Sequence, residues 1–215
     1  MPRSGLRTVD NVKADVLRDL CTARDEGRLD PDIGPLLDLI NSREGLVTTS
    51  SCSGRLQLIE VPLVGDKQGA LVLGKWHSRA DPMEVLARTR SPGNDGHVIL
   101  MLQPLLLHIR CLDLFRAVQV WQLGQRAGLK FSTIRSVRLR PDGSPAPWGI
   151  VVELLGTERM EVPLHFLNEA ELERLIPFWT EHANSLLSRT KGRMKALMDL
   201  LSEPTGPAID LAQWD

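Results

Sequence analysis

Five stretches of the chain carry helix signals, which are apolar residues every three or four positions, as the buried face of a helix requires, or a capping sequence at the start. They are residues 9–20, 33–40, 81–90, 114–128 and 168–201. The third begins with Asp81 as N-cap and Pro82 in the first turn. The fifth begins with Asn168 and Glu171 at the spacing of a capping box. We therefore expect five helices, the last of them long.

Other apolar segments are short and are separated by glycine, proline and serine, which is typical of strands. They are residues 46–50, 55–62, 70–76, 97–111, 132–140, 148–155 and 160–165. The stretch TTSSCSGR, residues 48–55, falls between the first two segments. We therefore expect this stretch at a strand end or in a turn between strands.

Sets of strands lie on both sides of the middle of the chain, with helices grouped between them. This order favours an α+β layered fold in which two clusters of mainly antiparallel strands are covered by helices, and it would fit an internal duplication. Gly65, Gly69 and Gly74 lack the spacing of a dinucleotide-binding turn, which disfavours a Rossmann domain. We expect residues 1–203 to form a single domain and residues 204–215 a loose C-terminal tail.

Composition limits the classes of function. Of 215 residues, 42% are hydrophobic, and the net charge is -1, so any anion site must be local. The three cysteines lack a CxxC pair, which argues against a disulfide framework and a cysteine-rich zinc site. The longest apolar run, residues 98–109, is shorter than the roughly 20 residues that span a bilayer. We expect a cytoplasmic protein with no membrane or metal partner.

The run TTSSCSGR combines small hydroxyl side chains with a glycine and an arginine. Ser50, Ser51 and Ser53 each offer a donor and an acceptor without bulk. Gly54 allows the backbone to turn successive N–H groups toward one point, and Arg55 adds a planar fork suited to a carboxylate or a phosphate. These are the components of a site for an anion or a polar ligand. An ordinary hydroxyl-rich turn is the alternative.

A second candidate group is GKWH, residues 74–77, at the end of a predicted strand. Lys75 offers a cation, Trp76 a stacking ring, and His77 a group that titrates near neutral pH. The alternative is a core tryptophan followed by a surface histidine. These residues are therefore candidates for binding and for proton transfer.

Two isolated residues and one charged cluster leave several interpretations open. His108 lies in an apolar strand, where a lone histidine is more often a hydrogen-bonded core residue than a ligand or a base. Cys52 is a small buried residue, a nucleophile activated by Arg55, or a metal ligand together with His77 and His108, although no ligand-pair spacing supports a metal. A basic cluster in the last helix is a solvated face or a phosphate contact; it comprises Arg189, Lys191, Arg193 and Lys195.

Several strings occur together in one order: IN at Ile40 and Asn41, then TTSSCSGR, GKWH, QPLLLHIRC, AGLKFSTI and TERMEVPL. In these strings the chain resembles the tRNA wybutosine-synthesis methyltransferases, which act on the tricyclic modified guanosine beside the anticodon of tRNA-Phe. The strings cover residues from about 27 to 164, and SSCSGR is unusually specific. One departure is Gln103, where the family commonly has a glutamate.

The resemblance implies a cytoplasmic enzyme that uses S-adenosylmethionine to methylate N-4 of the wybutosine precursor in tRNA-Phe, with residues 1–203 as a single catalytic domain. On this hypothesis the proton acceptor is His77 or, as second choice, His108. Cofactor or substrate is then bound by Ser50, Ser51, Cys52, Ser53, Gly54, Arg55, Lys75 and Trp76. Two alternatives stay open: a non-enzymatic RNA-binding or scaffold protein, and a cysteine hydrolase that uses Cys52.

Overall fold

A computed structural model of the protein describes residues 9–62, 69–90 and 96–203, with side chains from residue 12 onward. Within these ranges the elements are α1 (Val9–Asp25), α2 (Gly34–Ser42), β1 (Leu46–Val61), β2 (Leu71–Trp76), α3 (Pro82–Thr89), β3 (His97–Cys111), α4 (Leu114–Arg126), β4 (Thr133–Leu139), β5 (Pro145–Leu155), β6 (Met160–Pro163) and α5 (Glu169–Ser202). The five expected helices are confirmed. The predicted tail, residues 204–215, lies outside the described residues.

The helices begin and end where local signals predict. Asp81 caps α3, since its carboxylate accepts a hydrogen bond from Met83 N at 3.0 Å. Asn168 and Glu171 form the capping box of α5, where each side chain accepts from the other residue's backbone N–H at 3.0 Å. Gly128 follows the end of α4 with a φ of 84°, the left-handed conformation that glycine adopts without strain.

The strands form one sheet in the order β2-β1-β3-β5-β4, and β6 pairs with β3. The pairings of β1 with β2, of β3 with β5, of β3 with β6 and of β4 with β5 are all antiparallel. The α+β class is therefore confirmed, and the sheet differs from the parallel sheet of a Rossmann domain. The two predicted clusters of strands belong to this one sheet. The internal duplication stays a prediction.

The prediction of a strand end or a turn at TTSSCSGR is wrong, because β1 continues from Leu46 to Val61 through the whole run. Gly54 gives the physical reason. Its φ of 84° allows the chain to change direction locally without leaving the sheet. A Cβ at Gly54 would also lie 2.6 Å from Thr190 Cγ2, so the glycine permits a close approach to α5. Ser53 and Gly54 are therefore the part of the run that packs closely against α5.

The chain divides into two compact units. The first contains the described residues up to Cys52, Leu106–Gly156 and those from Arg193 onward; the second contains Ser53–Leu105 and Thr157–Gly192. Buried apolar residues of the first unit include Leu36, Ile40, Val47, Leu107, Ile109, Ile150 and Val152. The core of the second unit includes Leu56, Leu58, Val85, Leu100, Leu102, Ile176 and Leu187. That residues 1–203 act as a single catalytic domain stays a prediction.

Candidate functional site

In the second unit, Lys191 of α5 reaches the buried end of the small-residue run. Its ammonium donates to the Ser53 carbonyl at 2.9 Å, to the Ser53 hydroxyl at 3.0 Å and to the Gly54 carbonyl at 3.3 Å. Ser53 is fully buried. Hydrogen bonds from a charged donor are stronger than neutral ones, so these contacts fix the strand against the helix. One member of the basic cluster thus has an internal structural role.

Arg55 follows in the same strand and is half-buried. Its Nε donates to Gln103 Oε1 at 3.0 Å. Because this acceptor is a neutral amide, the bond orients the guanidinium plane and does not neutralise its charge. Gln103 therefore keeps the hydrogen-bonding role that a glutamate would have at this position and removes the negative charge.

Trp76, at the end of β2, is held by side chains of α3. Its indole N–H donates to Glu84 Oε2 at 3.1 Å, and the guanidinium carbon of Arg88 lies 5.5 Å from the ring centre. Arg88 also donates to Glu84 Oε1 at 2.8 Å and to the Leu73 carbonyl at 2.9 Å. Hydrogen bonds from Trp76 and Arg88 lower the pKa of Glu84. A Cβ at Gly74 would overlap the indole, which explains the glycine of GKWH.

The register of β1 and β2 brings the two motifs of the second unit side by side. Trp76 pairs with Leu56, the residue after Arg55, and Lys75 pairs with Gln57. Lys75 is exposed, whereas Trp76 is half-buried. The end of GKWH therefore lies next to Arg55 on neighbouring strands.

His77 is half-buried in the bend that follows β2. The loop after it is anchored by Asn184 of α5, which is buried. The backbone N–H of Ala80 donates to Asn184 Oδ1 and Asn184 Nδ2 donates to the Ala80 carbonyl, both at 2.9 Å. These paired bonds limit the movement of the segment that carries His77.

In the first unit, His108 on β3 lies directly opposite Glu153 on β5. His108 Nε2 is 2.7 Å from Glu153 Oε2, and Arg135 of β4 also pairs with Glu153. The side chains of His108 and Glu153 are only 21% and 13% exposed. Burial tends to raise the pKa of Glu153, but the hydrogen bonds from His108 and Arg135 outweigh it and lower the pKa.

An ionised Glu153 fixes the tautomer of neutral His108. A carboxylate only accepts hydrogen bonds, so Nε2 carries the proton and Nδ1 presents a lone pair. A histidine oriented by a carboxylate in this way is the usual arrangement of a general base. His108 is thus a hydrogen-bonded residue of the strand, as expected for a lone histidine there, and also has the chemistry of a base.

The first part of the small-residue run, also in the first unit, is attached to α2. Asn41 Nδ2 donates to Thr48 Oγ1 and the Thr48 N–H donates to Asn41 Oδ1, both at 2.9 Å. Ser50 is exposed, and Ser51 and Cys52 are half-buried. The bonds between Asn41 and Thr48 give a structural reason for the asparagine that precedes the run.

The structure also bears on the cysteines, on metals and on membranes. All three cysteines lie in the described ranges, and none forms a disulfide. Burial, followed by the charge of Asp113, raises the pKa of the Cys111 thiol to about 12. No group of three histidine, cysteine, aspartate or glutamate side chains in the described part of the chain is arranged to hold a metal ion. Among the same residues, no helix combines the length and apolarity needed to cross a membrane.

Comparison with known proteins connects these features to a family. The family model described as Methyltransferase TYW3 matches residues 11–203. A relative from Thermococcus sibiricus, named tRNA(Phe) 7-((3-amino-3-carboxypropyl)-4-demethylwyosine(37)-N(4))-methyltransferase, is 35% identical over 198 residues, which are 90% of this chain and 94% of the relative. A protein of Thermococcus kodakarensis with the same name and the number 1 is 35% identical over 193 residues, or 87% of this chain and 91% of the relative.

The chain belongs to the TYW3 methyltransferase family.

Solved structures agree with this assignment. The PH1069 protein from Pyrococcus horikoshii superposes on this chain with a TM-score of 0.76 at 34% identity, covering 92% of this chain and 99% of that one. A hypothetical protein from Aeropyrum pernix gives a TM-score of 0.59 at 25% identity, over 80% and 96% of the two chains. The resemblance inferred from the strings is therefore confirmed.

The sequence predicted the candidate residues of the strings but, apart from Gln103, did not predict the residues that orient them. Glu84 and Arg88 carry a local signal, because oppositely charged residues four apart face each other on a helix. Glu153 and Asn184 carry none, since their partners lie 45 and 104 residues away. Only the fold brings these pairs together.

Proposed function

We propose that the protein is a cytoplasmic enzyme that transfers a methyl group from S-adenosylmethionine to N-4 of the aminocarboxypropyl-demethylwyosine base in tRNA-Phe. The relatives are named as N(4)-methyltransferases of this base in tRNA(Phe), and the family is one of methyltransferases. Within the chain, the observation that carries the proposal is the guanidinium of Arg55, which is oriented by Gln103 and lies next to GKWH.

The residues of the second unit fit the chemical groups of S-adenosylmethionine. This cofactor has a carboxylate, an ammonium and an adenine ring, and its sulfonium supplies the methyl group. Arg55 suits the carboxylate, because guanidinium groups bind carboxylates through paired hydrogen bonds. Trp76 offers an aromatic surface for adenine or for the tricyclic base, and such stacking contributes about 1–3 kcal/mol per base. Lys75 is a second cation at the same strand end.

The acceptor nitrogen must lose a proton as it is methylated, and two histidines are candidates to take it. His108 has Glu153 to orient its Nε2 and leaves Nδ1 to receive a proton. His77 lies in the bend that follows Trp76. His77 is the first choice, because it belongs to the same unit as Arg55 and Trp76, and His108 of the first unit is the second choice. Cys52 is assigned a packing role in this mechanism.

Titration calorimetry with S-adenosylmethionine tests the cofactor assignment. Arg55→Ala should weaken binding about 10- to 150-fold, the equivalent of losing a charged hydrogen bond of roughly 1.5–3 kcal/mol. Arg79→Ala is the matched control, since Arg79 is an exposed arginine of the same unit that pairs with Glu181. Equal affinities of the two variants would remove Arg55 from the cofactor site.

A methylation assay on tRNA-Phe that carries the demethylwyosine precursor tests the reaction itself. We expect transfer of labelled methyl to the precursor and none to unmodified tRNA-Phe. A scaffold protein would bind tRNA but not S-adenosylmethionine, and a cysteine hydrolase would lose its activity on alkylation of Cys52. Methylation that survives Cys52→Ser would support the packing role of the cysteine. Absence of cofactor binding in the folded wild-type protein would contradict the proposal.

A further inference from the structure

We propose that a basic surface of the first unit binds the sugar-phosphate backbone of the tRNA; this inference rests on the proposed function. The surface, here called the β4 surface, consists of the exposed side chains of residues 130–140. Four of these eleven residues are basic and none is acidic, although the whole chain has a net charge of -1. The basic residues are Lys130, Arg135, Arg138 and Arg140.

The position of β4 in the sheet makes these side chains accessible. β4 is the last strand in the order β2-β1-β3-β5-β4, and within the described residues no strand pairs with its outer edge. Every residue from Arg135 to Arg140 is exposed, which means that side chains on both faces of the strand reach solvent. A strand buried on neither face gains little from apolar burial, so its arginines are not explained by packing.

Neighbouring acidic groups neutralise only part of this charge. Arg135 pairs with Glu153, which also binds His108. Asp142 lies near Arg140, although the hydrogen bonds from Ser144 contribute more than Arg140 to the lowered pKa of that carboxyl. Arg138 has no ionic partner among the described residues. The surface therefore keeps a net positive charge, which complements a polyanion.

Exposed apolar side chains accompany the arginines. Phe131 is 53% exposed, and Val137 and Leu139 are also exposed. RNA-binding surfaces combine cations for phosphates with rings on which unpaired bases stack, and the loop that holds an anticodon has such bases. The β4 surface is also connected, from Arg135 through Glu153, to His108, which is one of the two candidate proton acceptors and lies in the same unit. RNA is therefore a better match for this surface than a purely apolar partner.

Another explanation of the arginines is protection of a sheet edge, because charged side chains discourage two edges from pairing. A second copy of the chain on this edge is a further alternative. Both alternatives predict that tRNA affinity is independent of Arg138 and Arg140. Measurement of tRNA binding as a function of salt distinguishes them from the proposal.

The test compares the wild-type protein with Arg138→Ala/Arg140→Ala by fluorescence anisotropy with labelled tRNA-Phe between 50 and 200 mM KCl. Removing one arginine–phosphate interaction should lower the slope of log affinity against log salt by about 0.7–0.9, so removing two should lower it by about 1.4–1.8. When the salt concentration rises fourfold, the affinity of the wild type should therefore fall by a factor about 7 to 12 times larger than the factor for the variant. Arg138→Lys/Arg140→Lys should restore the slope, since it restores the charge.

Arg18→Ala is the control, because Arg18 is an exposed arginine of the same unit that lies on α1 and pairs with Asp15. We expect this variant to have the wild-type slope, and all variants to keep the wild-type thermal transition. Equal slopes for Arg138→Ala/Arg140→Ala and the wild type would overturn the β4 surface. The β4 surface would also be overturned if the wild-type protein sediments as a dimer and the double variant sediments as a monomer. If the two slopes are equal but the wild-type protein methylates the tRNA, the β4 surface is rejected and the proposed function stands.

Discussion

Gly54 is the position where the small-residue run is most sensitive to a single added methyl group. An alanine there would hold a φ of 84°, which costs an L-residue about 1–2 kcal/mol. Its Cβ would also lie 2.6 Å from Thr190 Cγ2 and 3.3 Å from the Gln103 carbonyl oxygen. Thr190 cannot easily move, because it is buried and its hydroxyl donates to the Leu186 carbonyl at 3.1 Å. Overpacking of this kind costs about 1–3 kcal/mol.

We therefore expect Gly54→Ala to lower the free energy of unfolding by about 2–5 kcal/mol, a large part of the roughly 5–15 kcal/mol that stabilises a typical domain. Urea titration followed by circular dichroism measures this change. Gly143→Ala is the matched control for backbone strain, because Gly143 has a φ of 82° and open space around it. It should cost only about 1–2 kcal/mol.

Two further variants separate the contributions. Gly192→Ala adds a methyl group to α5 in open space and should stabilise the protein by about 0.5–1 kcal/mol. Thr190→Ser removes the methyl group that Gly54→Ala would strike, so the cost of Gly54→Ala should be smaller in that background. If Gly54→Ala destabilises the protein no more than Gly143→Ala does, then β1 and α5 have room for the added methyl group and overpacking at Gly54 is refuted.

The remaining predictions concern Lys191, Glu153 and Cys111. Lys191→Met should cost about 1.5–3 kcal/mol in urea unfolding, because the buried oxygens of Ser53 lose a charged donor; wild-type stability would contradict this. Glu153→Gln should lower the free energy of unfolding of the protein at about pH 7 and much less at about pH 3. A carboxylate with a lowered pKa stabilises the folded protein when it is ionised and loses this contribution as the pH falls through its pKa in the folded state. Equal effects of the substitution at both pH values would refute this prediction. The pKa of Cys111 is raised to about 12, so above about pH 9 the thiol ionises in the unfolded chain before it does in the folded protein, and the free energy of unfolding should fall by up to about 1.4 kcal/mol per pH unit. In the folded protein, iodoacetamide should modify exposed Cys21 well before buried Cys111.

Much of the local structure follows from the sequence, because helix signals depend on residues that are close along the chain. The caps at Asp81 and Asn168 form the predicted hydrogen bonds. The strings around Arg55 and Trp76 were sufficient for the family resemblance, since they combine unusual residue types at fixed spacing. Their proximity is also partly local, because β2 follows β1 and pairs with it in antiparallel register.

The sequence misled at the small-residue run for a physical reason. Serine and glycine are common in turns, but here Gly54 supplies a positive φ within β1, and the lysine from α5 satisfies two buried carbonyls that a turn would have exposed to water. Nothing near residue 54 in sequence announces Lys191. A distant donor therefore decided between strand and turn.

What the amino-acid sequence determined by itself was the five helices, the class of fold and the family. The tertiary structure alone decided which partner orients each candidate group: Gln103 for Arg55 and Glu153 for His108. Hydrogen bonds and ion pairs act over a few ångströms, whereas these partners are 48 and 45 residues apart, so only the pairing of strands and the packing of helices could bring them into contact.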